Sequence, residues 1–251
     1  MRENKSNMPA LVRAEHLKMK HTFVRILPAA SALMALFLVF SFSRGIFFAV
    51  SAWNWWYTML LPGMLAILCY LVIKREKKLH YCNLLSAPLA PSACLFGKIL
   101  YCTLALCLAN LLLAFGTLVA DMVWGSGILP VNSLAAAALL SICSLWEIPF
   151  FLMVSARFGV FVNLFSCMVL TLGATVMLAG SGLWWLCPAA IPVRLMCPVL
   201  GILPNGLTVP ADSPLWDPGV VLPGIVLSLL WFAVLTAAAG RILWKGEKGA
   251  K

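Results

Sequence analysis

Charge is scarce in this chain. Only 10% of its 251 residues are Asp, Glu, Lys or Arg, and eight of those are acidic, whereas a soluble globular domain carries about a quarter. Histidine is rarer still, and His16, His21 and His80 all fall outside the apolar runs. No Ser–His pair can therefore form around Ala179-Gly180-Ser181-Gly182, and there is no H-E-x-x-H metal motif, which argues against a membrane hydrolase. The nine cysteines contain no C-x-x-C. Cys69, Cys102, Cys107, Cys143 and Cys167 lie within apolar runs as small apolar residues, while Cys187 and Cys197 share one segment and leave a disulfide open. No G-x-x-x-x-G-K-[ST] occurs, so no P-loop holds ATP here and any energy from ATP has to come through another subunit. No cofactor or metal is expected to bind the chain directly.

Apolar residues are what the sequence has in abundance: 63% of the chain, with a mean hydropathy of +1.00. Each crossing of a ~30 Å hydrocarbon core needs roughly 20 apolar residues. Six runs of about that length occur, near 26–43, 55–73, 99–120, 133–155, 160–180 and 220–240. The expected fold is all-α, one polytopic membrane domain over residues 1–251 with six transmembrane helices. The start is too polar, and the first apolar run too long, for a cleaved signal peptide, so that run is expected to stay in the mature protein.

The net charge of +10 is distributed by side. Arg2, Lys5, Arg13, Lys18, Lys20 and Arg25 precede the first run; Lys74, Arg75, Lys77, Lys78 and Lys98 lie between the second and third. Arg157 and the C-terminal Arg241, Lys245, Lys248 and Lys251 bring that side to sixteen, against Arg44 and Arg194 opposite. The positive-inside rule places both termini in the cytoplasm, as an even number of spans requires. This placement decides against nucleic acid and leaves attraction to membrane lipid as the further role of the basic residues. A plasma membrane is the expected location.

Three segments stand outside the runs. Residues 10–23 put Leu11, Ala14, Leu17 and Lys18 on one helical face among basic residues, the pattern of an interfacial helix, with a solvated basic tail as the alternative. Residues 74–98 form the largest cytoplasmic segment, broken by Pro88 and Pro91. Residues 183–219 hold seven prolines with Trp184, Trp185 and Trp216, which excludes a long regular helix and gives an irregular external loop.

Trp53, Trp55, Trp56 and Tyr57 crowd the outer start of the second run. Indole and phenol rings favour headgroup depth, so an aromatic belt explains them. Asn54 inside the cluster and Pro62-Gly63 two turns deeper suggest instead a bent helix with an adhesive mouth for an amphipathic substrate, the proline freeing the Thr58 carbonyl. Glu147, in Trp146-Glu147-Ile148-Pro149, is the one acidic residue within a run, where an unpaired ionisable group costs at least ~2.5 kcal/mol. It reads either as a proton-coupling or substrate-contacting carboxylate, or as a structural hydrogen bond in the bundle or a contact with a second subunit. Pro149 is expected to deprive the Leu145 carbonyl of its helical donor.

At this point the arrangement resembles a known family. The stretches "NWWYTMLLPG" (54–63), "KREKKL" (74–79) and "WEIPFFLMVSARFGVFVNL" (146–164), with the N-terminal "EHLKMK", are similar to lantibiotic-immunity permeases of the MutE/EpiE group, of the ABC-2 (type V) exporter family. The resemblance implies a bacterial plasma-membrane half-transporter that joins a second, related permease and a pair of soluble P-loop ATPase subunits, which bring ATP and Mg. Its substrate would be a lantibiotic or similar antimicrobial peptide, expelled from the membrane to confer immunity. It further implies ATPase coupling around Glu76, Lys77 and Lys78, joined by Glu15; independently of it, a peptide in the outer leaflet needs an entrance at headgroup depth, which makes Asn54, Trp55, Trp56 and Tyr57 the candidate substrate contacts and Pro62 a hinge. Glu147 and Pro149 complete the expected pathway. A proton-coupled secondary transporter using Glu147, and a non-transporting membrane sensor or scaffold subunit, are the competing classes.

Overall fold

The computed structural model describes residues 8–43, 45–78, 91–125 and 127–248. Among them the fold is all-α, with one isolated β-bridge between Ile202 and Thr208. The ten α-helices are α1 (Met8–Lys18), α2 (Leu27–Phe42), α3 (Phe48–Trp55), α4 (Leu61–Lys78), α5 (Pro91–Trp124), α6 (Pro130–Cys143), α7 (Glu147–Arg157), α8 (Val160–Met177), α9 (Ala190–Leu200) and α10 (Val221–Lys248).

Helix α4 packs against α7 and α8, while α5 packs against α1, α2, α3 and α6; α10 closes the bundle over α6 and α7. Small residues let the helices approach: Ala32 and Ala35 of α2 are fully covered, and Gly116 of α5 admits the side chain of Leu36 where a Cβ would collide. Large apolar side chains also point outward. Phe37 on α2, Phe115 on α5, Phe161 and Phe165 on α8, and Leu222 on α10 are each more than 60% exposed. Helices apolar both inward and outward suit a hydrocarbon solvent.

Among the described residues, three continuous helical stretches are long and apolar enough to cross a membrane: Gly45–Glu76, Ser92–Trp124 and Pro218–Ile242. Helices α6 and α7 make a fourth if counted as one span bent by 45°. All six apolar runs are helical, but α2 has 16 residues, ~24 Å at 1.5 Å per residue, short of a ~30 Å core. The segment of 183–219 is more ordered than its prolines suggest. Eleven of its residues form α9, which is buried and packs on α6. Gly201, at φ +69°, ends α9 in the left-handed conformation, and a Cβ there would meet the Trp216 ring at 2.8 Å.

Candidate functional site

The path from α3 to α4 runs through one π-helical stretch, Trp56–Leu60, in which the Leu61 N–H donates to the Trp56 carbonyl. Pro62 follows it and has no N–H for the Thr58 carbonyl, and the wider turn accommodates that loss without breaking the helix. The expected bend is therefore a bulge. Three of the four clustered rings point inward: Trp53 and Trp56 are fully buried and Tyr57 nearly so. Trp56 Nε1 donates to Asn110 Oδ1 at 2.8 Å, and Asn110 Nδ2 donates to Ser141 Oγ at 2.9 Å, linking the bulge to α5 and α6. Trp55 alone is open, 40% exposed and stacked on Phe42. Asn54 Nδ2 donates to the Tyr57 hydroxyl at 3.0 Å and reaches the Pro204 carbonyl at 3.4 Å, so the end of α3 is tied both to the bulge and to the turn at Pro204.

Glu147 occupies a helix break. Residues 144–146 form a turn between α6 and α7, and Glu147 is the first residue of α7. Pro149 then lies in the first turn, where a missing N–H costs no helical hydrogen bond. The Leu145 carbonyl is not left bare as expected, because the Ile148 N–H donates to it at 3.2 Å. Glu147 is 3% exposed, and Ser144 lies beside its carboxylate. Neither the Ser144 hydroxyl nor Glu147 Oε2 makes a hydrogen bond of full geometry, and the Trp146 indole N–H is likewise buried without a partner. Glu147 Oε2 and the Trp146 indole thus lie unsatisfied at one break between two apolar helices, with Ser144 only loosely engaged by the carboxylate, and such buried groups cost free energy unless water, a proton or a ligand reaches them.

A cavity of about 500 Å³ opens between α2, α4 and α8. Its walls include Met34, Met59, Met64 and Met168, together with Gly63 and Cys167. Met59 belongs to the bulge. Methionine is flexible and polarizable, so such walls adapt to irregular apolar guests.

Two of the four residues expected to couple to an ATPase, Glu15 and Glu76, come together with Lys18 and Lys98 in an ionic quartet. Oε1 of Glu15 accepts from Lys18 Nζ at 2.8 Å and Lys98 Nζ at 3.0 Å; Oε1 of Glu76 accepts from Lys18 at 2.9 Å and Lys98 at 2.7 Å. Glu15, Glu76 and Lys98 are buried, so both carboxylates face inward and clamp α1 to the ends of α4 and α5. Burial alone would lower the Lys18 pKa. Its hydrogen bonds to Glu15 and Glu76, and their charges, outweigh that and hold it above the ordinary lysine value. Lys77 and Lys78 end α4, but their side chains, with residues 79–90 that follow, lie outside the described residues.

The sequence singled out Glu15, Glu76, Glu147 and the aromatic cluster as candidates, but not Asn110, Ser141, the methionine walls or the pairing of Lys98. Asn110 was the findable one, an amide within an apolar run. Cys187 and Cys197 are free thiols. No family model matches the chain, and no curated protein matches it.

Proposed function

We propose that the chain is the membrane-spanning permease subunit of an ABC exporter of the ABC-2 type, expelling lantibiotic-like or similar amphipathic peptides from the membrane. The observation that carries this reading is the methionine-walled cavity of about 500 Å³, set beside a π-bulge and close to a broken helix. Discontinuous helices at membrane depth are where transporters place binding sites, because irregular backbone is tolerated only against protein or a water-lined space. An apolar cavity of that size takes an apolar side chain or a lipid-like segment. The proposed arrangement has six spans, with α2 and α8 completed by their flanking turns, and cytoplasmic termini.

The quartet suits the coupling this function needs. A push from a partner ATPase on the segment between α4 and α5 would act on helices already clamped to α1, and so move them as a rigid body. Its partners would be two ATPase subunits and a second permease. A mild-detergent pull-down from native membranes, with ATPase activity measured with and without a lantibiotic, tests the proposal. An ATPase in the eluate whose hydrolysis responds to the peptide is the expected result; a lone protein indifferent to nucleotide refutes it.

The unpartnered Glu147 Oε2 favours one other reading, a proton-coupled secondary transporter. That reading requires transport without any ATPase and with a dependence on pH.

A further inference from the structure

A second cavity stands apart from the methionine-walled one. It measures about 680 Å³ and lies between α1, the turn before α2, and the first half of α5. Its two ends differ in chemistry. At the α1 end stand Arg13 and His16, with Arg25 from the turn opposite. The other end is apolar: Leu100, Leu104 and Leu108 recur along one face of α5, with Leu104 and Leu108 about half exposed. No acidic residue lines it.

Helix α1 separates its two duties by face. Glu15 and Lys18 turn into the quartet, and Leu11 meets α5 at Gly97, where a Cβ would stand 3.3 Å from Leu11 Cβ. Pro9, Val12, Arg13 and His16, spaced at three and four residues, line the cavity. Arg13, His16 and Arg25 take part in no ion pair among the described residues, since the pairs there are those of Lys18 and Lys98. The quartet therefore absorbs the nearby carboxylates and leaves the cavity's cationic end uncompensated.

From this we infer that the cavity is a binding site for one anionic phospholipid of the leaflet that meets the basic side of the protein. The phosphodiester would sit between Arg13 and Arg25, with His16 beside it, and one acyl chain would run along Leu100, Leu104 and Leu108. Those leucines extend about 12 Å along α5, at 1.5 Å per residue, which fits an acyl chain and has no use to a free phosphate. An arginine guanidinium matches a phosphate with paired N–H donors. Basic pockets beside membrane helices on the cytoplasmic side suit anionic headgroups. The inference needs only that the chain lies in a membrane, not that it transports.

The test uses the full chain reconstituted into vesicles of phosphatidylcholine and phosphatidylglycerol, re-extracted in mild detergent, with retained lipid identified by mass. Wild-type protein is expected to retain phosphatidylglycerol over phosphatidylcholine, and inorganic phosphate is not expected to displace it. Arg13→Gln with Arg25→Gln should weaken retention about 25-fold, at roughly fivefold per arginine near an anionic surface. Leu104→Trp, which fills the acyl groove and leaves the arginines, should also reduce it. Equal retention of both lipids, wild-type retention in the arginine variant, or displacement by phosphate overturns the inference. So does a loss confined to the arginine variant, which would mark a general surface attraction. Thermal unfolding in detergent checks that each variant is folded.

Discussion

Trp56 and Asn110 meet where a membrane protein can least tolerate an unmade hydrogen bond, because no water competes for the partner. Trp56→Phe keeps the ring in the core but removes the donor to Asn110 Oδ1. The orphaned acceptor should destabilise the protein by about 1–2 kcal/mol, read as a lowered unfolding temperature in detergent. Trp55, stacked on Phe42 at the surface, makes no such bond. Trp55→Ala should leave stability within about 0.5 kcal/mol, while reducing peptide protection if the aromatic mouth contacts substrate; unchanged protection removes Trp55 from the pathway. At Glu147 the isosteric Gln keeps a hydrogen-bonding group at the helix break without the ionisable proton. Under the exporter proposal Glu147→Gln should fold and export, whereas a folded variant without activity would favour the proton-coupled reading.

Among the elements, α1 depends most on a few contacts. Lys98 is the buried cation of the quartet, and Lys98→Met leaves two carboxylates with Lys18 alone. Removing one member of a buried charge set costs about 3 kcal/mol or more, so α1 should detach, seen as faster trypsin cleavage at Arg13 and Lys20. Lys18, with a quarter of its side chain exposed, should matter less, about 1 kcal/mol for Lys18→Met. The pH dependence has a definite sign. Because the Lys18 pKa is raised in the folded protein, its contribution is complete below the ordinary value of 10.5 and is lost as pH rises through the higher folded value. A polarity-sensitive dye at Ala14→Cys should report docked α1 throughout the neutral range and release only in strongly alkaline solution.

For the molecule as a whole, the distribution of charge makes the clearest forecast. The turn around Asn205 and residues 127–129 should face outward, and α1 and the 74–98 segment inward. Asn205→Cys should react with a membrane-impermeant maleimide in intact cells, and His21→Cys only after permeabilisation. The reverse pattern would overturn the topology.

Much of this was legible in the residues themselves. Hydropathy and the sidedness of Lys and Arg act locally and additively, so the apolar runs, their helical state and the scarcity of soluble surface follow from the sequence alone. The stretch Leu145-Trp146-Glu147-Ile148-Pro149 announced a disturbed helix, and Pro62 a disturbed second run. What form each took was a tertiary decision. Pro149 became part of a helix start because α7 bends away to pack on α4, while Pro62 was absorbed by a π turn that packs on α8 and reaches Asn110 of α5 through the Trp56 indole. Lys98 could be counted as a cytoplasmic charge, yet its partner Glu15 lies 83 residues earlier. Whether such groups meet depends on how helices pack across the bundle, and side chains far apart in sequence carry no local signal of that. The sequence by itself determined long apolar helices suited to a membrane, with Lys and Arg gathered in the segments between and beyond them; packing decided which charges were neutralised, which stayed open, and where cavities remained between the helices.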